Sequence, residues 1–171
     1  MTSPLRSLFF LDPTRAIMDA TMSNIQKVGH SFLSGGDSLK KVDLSGLCNV
    51  EMLNDFLYQC LSLEEIDLSP LSNVQKVGGG FLSGCSSLKK VDLSGLRNLQ
   101  EMGHNFFRDC FSLKEIDFSA LCNVQVVGWP TLNGCWSLTR VILPVSPPEG
   151  LRRAVEEVLG LLRSTAVQWT R

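Results

Sequence analysis

Three shortages in this sequence each close off a class of function. Charge of one sign is missing: 16 Lys and Arg stand against 17 Asp and Glu, a formal net charge of −1 over 171 residues. Surfaces that hold nucleic acid draw much of their affinity from a basic excess, so no nucleic-acid partner is expected. Long apolar runs are missing as well. No stretch approaches the roughly 20 residues of a membrane-spanning helix, and no membrane span is expected. The apolar patch Leu8 to Leu11 is cut by Asp12-Pro13 with no small-residue cleavage site after it, which makes a poor secretory signal. Arg6 and Arg15 leave a transit-peptide reading open; an intracellular, cytoplasmic location is the expectation. Histidine is scarce, with only His30 and His104. Neither sits where a Cys or Ser nucleophile recurs beside it, and Gly78-Gly79-Gly80 lacks the strand–helix context and Lys of a phosphate loop. The sequence therefore predicts no catalytic residues and no cofactor.

What is present is repetition. "SLKKVDLSGLCNV" (Ser38 to Val50), "SLEEIDLSPLSNV" (Ser62 to Val74), "SLKKVDLSGLRNL" (Ser87 to Leu99) and "SLKEIDFSALCNV" (Ser112 to Val124) align without gaps. The residue closing the block before each, Gly36, Cys60, Cys85 or Cys110, recurs with Cys135 at intervals of 24 to 25 residues. A period in that range with Leu or Ile at fixed offsets marks a solenoid, in which stacked units close a core that none could close alone. Four full repeats are followed by a partial one at Ser137 to Leu143 and preceded by a decayed one at Met22 to Leu33. The chain is long enough for one such domain with a sizeable core.

Within a repeat, Glu65-Ile66-Asp67-Leu68 alternates polar and apolar, as a half-buried strand does. Pro70 after Ser69 ends that strand. Asn24, Asn49, Asn73, Asn98 and Asn123 share one register, and an inward Asn there would satisfy open backbone groups of its own turn and of the neighbouring coil. The return leg carries Val77, Phe81 and Leu82 as apolar anchors. Gly78, Gly103 and Gly128 occupy a position expected to need an unusual backbone angle. Stacking yields a parallel sheet with one strand per coil. Helical caps are expected at both ends. Ser146-Pro147-Pro148-Glu149 is a helix-start signal, and Leu151, Val155, Val158, Leu159 and Leu162 continue at helical spacing to about Arg163. That helix either seals the last coil or binds a partner. Asp12-Pro13 starts a weaker helix to about Ala20. The expected division is an N-terminal cap over 1–21, repeats over 22–145 and a C-terminal helical cap over 146–171.

The outward strand face offers two candidate columns. Lys41, Glu65, Lys90, Glu115 and Arg140 alternate in sign coil by coil, so each charge can pair with its neighbours. Asp43, Asp67, Asp92 and Asp117 form a line of like charges about 5 Å apart, relieved by the lysines beside them and by Ser45, Ser69, Ser94 and Ser119. Either this is a solvated structural face or it is an acidic stripe for a basic partner or a divalent cation. Calcium wants six to eight oxygen ligands, which a flat stripe does not supply, so no metal site is assigned. The column Cys60, Cys85, Cys110, Cys135 has the wrong shape for tetrahedral zinc. Gly36 in the same slot points to small buried hydrophobes, in keeping with a reducing compartment. Cys48 and Cys122 lie coils apart. The repeat breaks at "VVGWPTLNGCW", where Trp129 and Trp136 replace small or polar residues. They are candidates for an interaction hot spot or for packing against the C-terminal helix. A shortened return leg at "EMLNDFLYQC", with Tyr58, is a second break.

The L-x-x-[VI]-D-[LF] strand resembles that of leucine-rich repeat proteins, although Leu47, Leu71, Leu96 and Leu121 stand where the commonest form has Asn. The cadence Val77-Gly78, Phe81, Gly84-Cys85 to Leu88 is closer to the BspA-like subfamily, and the wording of the repeats resembles leucine-rich repeat families of trypanosomatid protists. The resemblance implies an α/β leucine-rich repeat solenoid, a protein-interaction or adhesion module, and no catalytic residues. The expectation is a non-enzymatic module binding a protein partner through Glu65, Asp67, Lys90, Asp92, Glu115, Asp117 and Arg140, with Trp129 and Trp136 beside them. The alternatives are a structural subunit of a larger assembly and a surface adhesin of BspA type.

Overall fold

A computed structural model describes residues 28–161 and 166–169. The chain winds into a parallel solenoid whose coils touch along three sides. The expected strand is the first side: β2 (Glu65–Asp67) pairs with β4 (Lys90–Asp92), and β6 (Glu115–Asp117) with β8 (Arg140–Leu143). Registers Glu65↔Lys90 and Glu115↔Arg140 stack equivalent residues into columns.

One strand per coil was too few. The return leg contributes a second ladder, β1 (Met52–Leu53), β3 (Lys76–Val77), β5 (Glu101–Met102) and β7 (Val126–Val127), all parallel. Each is two residues long, which is too short for alternation to announce.

Among the described residues the third side carries no strand, only a single parallel bridge between Phe106 and Thr131. Leu33, Leu57, Leu82, Phe107 and Leu132 all adopt left-handed backbone, with φ between 53 and 58°. Such angles cost a non-glycine residue about 1–2 kcal/mol. Full burial of Leu57, Leu82, Phe107 and Leu132 offsets the cost, and the geometry also builds a ladder. The amides of Leu57, Leu82, Phe107 and Leu132 donate to the carbonyls of Phe32, Phe56, Phe81 and Phe106 in the preceding coil at 2.9–3.1 Å. Gly35, Gln59, Gly84 and Asp109 donate to the following coil at 2.7–2.8 Å. The coils between the first and last described are thereby tied to both neighbours.

Inside, Phe32, Phe56, Phe81 and Phe106 stack at ring separations of 6.1, 5.6 and 5.0 Å. The column ends at buried Thr131, whose hydroxyl donates to the Gly128 carbonyl at 2.9 Å. The expected unusual angle at Gly78, Gly103 and Gly128 is absent; none has positive φ. The requirement is closeness: a Cβ on Gly103 would collide with the Gly78 backbone, and one on Gly128 with that of Gly103.

At the C-terminal end, α1 spans Glu149–Leu161 and buries Leu151, Val155 and Val158 against the last coil. A helical cap is the expectation over 146–171, but only part of that segment is helix. Strand β9 (Ala166–Trp169) follows and extends the first ladder beside β8, in register Arg140↔Ala166. Thr131, Leu132, Cys135, Leu138 and Val141 of the last coil are 0–2% exposed, so that end of the core is sealed. The expected N-terminal cap and Asn24 lie outside the described residues.

Candidate functional site

The first ladder sets the geometry of the candidate face. Its pleat sends Ile66, Ile116 and Val141 into the core and Glu65, Asp67, Lys90, Asp92, Glu115 and Asp117 outward, all exposed. Arg140 is half-buried, because its Nε donates to Gln168 of β9 at 3.1 Å while Nη1 reaches Glu115 at 3.0 Å. The solvent face therefore ends at Arg140, and Ile142, in the Asp column, is only 9% exposed.

Sign alternation yields pairing at two of its junctions. Lys41 lies 3.7 Å from Glu65, and Arg140 3.0 Å from Glu115. Lys90 has no ion-pair partner among the described residues. Lys89, one residue earlier, pairs with Glu64 at 2.8 Å and holds that carboxyl below its ordinary range.

The four aspartates are engaged locally. One oxygen each of Asp43, Asp67, Asp92 and Asp117 accepts the backbone N–H of Ser45, Ser69, Ser94 and Ser119 at 2.9, 2.8, 2.8 and 2.8 Å. Relief of repulsion thus comes chiefly from the serine amide, and for Asp43 that bond holds the pKa below the usual value. A carboxylate has capacity for more than one donor, so one oxygen of each stays available outward. Among the described residues no three acidic, His or Cys side chains converge as metal ligands.

The cysteines fill small slots. Cys60, Cys85, Cys110 and Cys135 are 0–1% exposed, and their thiols donate to the carbonyls of Leu33, Leu57, Leu82 and Phe107 at 3.0–3.2 Å. All six cysteines are free. The neighbouring thiol together with burial pushes Cys85 and Cys110 well above the ordinary thiol range. The asparagines correct their expectation in part. Asn73, Asn98 and Asn123 donate to the Cys48, Ser72 and Arg97 carbonyls of the preceding coil at 2.8–2.9 Å, but from the exposed surface rather than from inside.

The two tryptophans separate. Trp129 is 60% exposed, and its indole N–H donates to Glu157 of α1 at 2.7 Å. His104 Nδ1 lies 2.8 Å from the Trp129 carbonyl; since a carbonyl only accepts, that nitrogen carries a proton. Trp136 is 61% exposed, and its side chain has no hydrogen-bond partner among the described residues. The sequence reading missed that Leu61 and Phe111, each 46% exposed, share its column. The available signal was that each directly follows a column cysteine.

Comparison with known proteins identifies the repeat. A family model for the BspA type leucine rich repeat region matches residues 16–139 in 6 copies, as many as the full, partial and decayed repeats together. No curated protein matches the chain. A crystal structure of a T. pallidum leucine rich repeat protein covers 60% of this chain and 60% of its own, at 23% identity and a TM-score of 0.40; this chain thus spans less than two thirds of that one, and no argument rests on so low a score. The family model covers well over half of the sequence, and the chain belongs to the BspA-type leucine-rich repeat family.

Proposed function

We propose that this protein is a non-enzymatic binding module whose protein partner lies across the first-ladder face, on Glu65, Asp67, Lys90, Asp92, Glu115, Asp117 and Arg140. Proteins of this family are generally interaction or adhesin modules. The observation that carries the reading is the Asp column. Each carboxylate is held in one orientation by its serine amide, so a partner meets a charge that is already ordered. Pre-ordering removes part of the entropy cost of binding. The partner expected is a basic protein surface. Four buried thiols donating to carbonyls favour a reducing, intracellular compartment over an adhesin at the cell surface.

The test must separate charge from fold. Asp67→Lys with Asp92→Lys would remove two turn acceptors along with two charges. Asp67→Asn with Asp92→Asn keeps a carbonyl oxygen for the serine amide and removes only charge. A partner captured by the wild-type chain should lose at least about tenfold in affinity for the Asn variant, a rim-to-core charge effect of about 1.4 kcal/mol. Undiminished affinity with the Asn variant and the Lys variant alike would move the site off this face.

A further inference from the structure

The outer turn beside the cysteine column presents a second surface. Leu61, Phe111 and Trp136 each directly follow a buried cysteine whose thiol bonds the preceding coil. The cysteine is fixed inward, and the next side chain is thrown outward. Leu61 and Phe111 are 46% exposed and Trp136 61%. Ser86 supplies the fourth member of the column and exposed Asp37, which follows Gly36, the fifth. Phe111 and Trp136 belong to adjacent coils, which the ladders hold roughly 4.8 Å apart. Exposed aromatics on a rigid frame, with little rotamer freedom to lose, make good binding anchors.

The charges around this column are unbalanced. Its coils carry Lys40, Lys89, Arg108 and Lys114 at the neighbouring positions, against Asp37, Glu64 and Asp109. Asp109 is engaged with Arg108 at 3.2 Å and Glu64 with Lys89 at 2.8 Å, while Asp37 lies at the Leu61 end, three coils before Phe111. Lys114 is exposed and has no ion-pair partner among the described residues. In the last coil Asn133 and Thr139 take the places of Arg108 and Lys114, leaving Trp136 without an acidic neighbour in its own coil. The Phe111–Trp136 end of the stripe therefore combines apolar anchors with spare positive charge. Its electrostatic preference is the reverse of that of the Asp column.

We propose that the Leu61–Phe111–Trp136 stripe is a second docking surface, and that its occupant is an acidic protein segment with apolar anchors: aromatic or aliphatic side chains on Phe111 and Trp136, carboxylates towards Lys114 and Arg108. This site is independent of the strand face. A module with both would join a basic surface to an acidic segment.

The test uses the full chain and two labelled peptides built from Leu, Phe and Gly, one carrying Glu and the other Lys at the same positions. Fluorescence anisotropy should show the Glu peptide binding, more weakly as salt rises, and the Lys peptide binding at least about tenfold worse. Phe111→Ser with Trp136→Ser should abolish binding of the Glu peptide, and Lys114→Glu should weaken it. Both variants lie at exposed positions, and an unchanged melting curve shows that the fold is intact. The strand-face variant Asp67→Asn, Asp92→Asn should bind the Glu peptide as the wild type does, so failure here and failure of the strand-face reading are distinguishable. Equal binding of both peptides, binding indifferent to the double Ser variant, or no binding of the Glu peptide would overturn the proposal. Sedimentation showing self-association lost in the double Ser variant would make a second copy the occupant and would overturn it too.

Discussion

Single residues in this chain do two jobs, and the Asp column shows it best. The carboxylates point outward like a recognition stripe, yet each also closes a turn at the end of its strand. Asp67→Ala should cost about 1 kcal/mol in urea unfolding, the net worth of one hydrogen bond, whereas Asp67→Asn should cost little. Equal losses would mean that the charge, not the turn acceptor, matters to the fold. The pH dependence follows from the same contact. Asp43 has a folded-state pKa held below its usual value by the Ser45 amide. A depressed carboxylate contributes stability that is fully present above the unfolded pKa and is lost as pH falls through the folded one. NMR titration should therefore place the Asp43 midpoint below 3.8, and a midpoint above that value would contradict the contact. Glycine 103 carries a different constraint. Gly103→Ala drives a methyl into the backbone of Gly78 and should destabilise by about 1–3 kcal/mol. A neutral result would mean that the coils can part there. The recurring glycine was legible in the sequence, but its cause was not, because a period records that small residues recur and not what presses on them.

At the scale of elements, legibility follows length and alternation. Glu65-Ile66-Asp67 declares itself because burial reverses at each step. The two-residue return strands cannot, and Lys76-Val77 is a strand only because Met52-Leu53 and Glu101-Met102 lie on either side of it. The third ladder is further out of reach, since nothing in Leu or Phe announces a left-handed backbone; neighbouring coils impose it. Helix α1 was readable from its apolar spacing, while β9 was not, because four residues pair with β8 only once α1 has brought the chain back. The helix seals the core, so Leu151→Ala should cost about 2–5 kcal/mol in denaturant unfolding; a loss within about 0.5 kcal/mol would mean that the last coil stands without it. The cysteine ladder gives a kinetic prediction. A thiol reagent should label Cys122 first and Cys48 more slowly, with Cys60, Cys85, Cys110 and Cys135 reacting only on unfolding. Reaction of all six at one rate under native conditions would contradict the buried slots.

Over the whole molecule, the architecture is a stack with nearest-neighbour contacts, so its stability is close to a sum of coil and junction terms. Three inter-coil ladders make the stack stiff, and stiffness is what turns repeated residues into ordered surface columns. One column carries aligned acids, another exposed aromatics beside unpaired lysine. Near-neutral net charge hides both, because it averages over every column. The sequence periodicity made the columns legible. It could not rank them, since the backbone bond on each Asp, the Trp129–Glu157 link and the covering of Arg140 by β9 depend on contacts between distant residues. Whether the aligned acids bind a partner is read from its affinity along the column. With a partner captured by the wild-type chain, Asp43, Asp67, Asp92 and Asp117 are replaced by Asn one coil at a time. The losses should peak over adjacent coils, at Asp67 and Asp92, and shrink with added salt. Affinity unchanged at all four positions would contradict binding by the aligned acids.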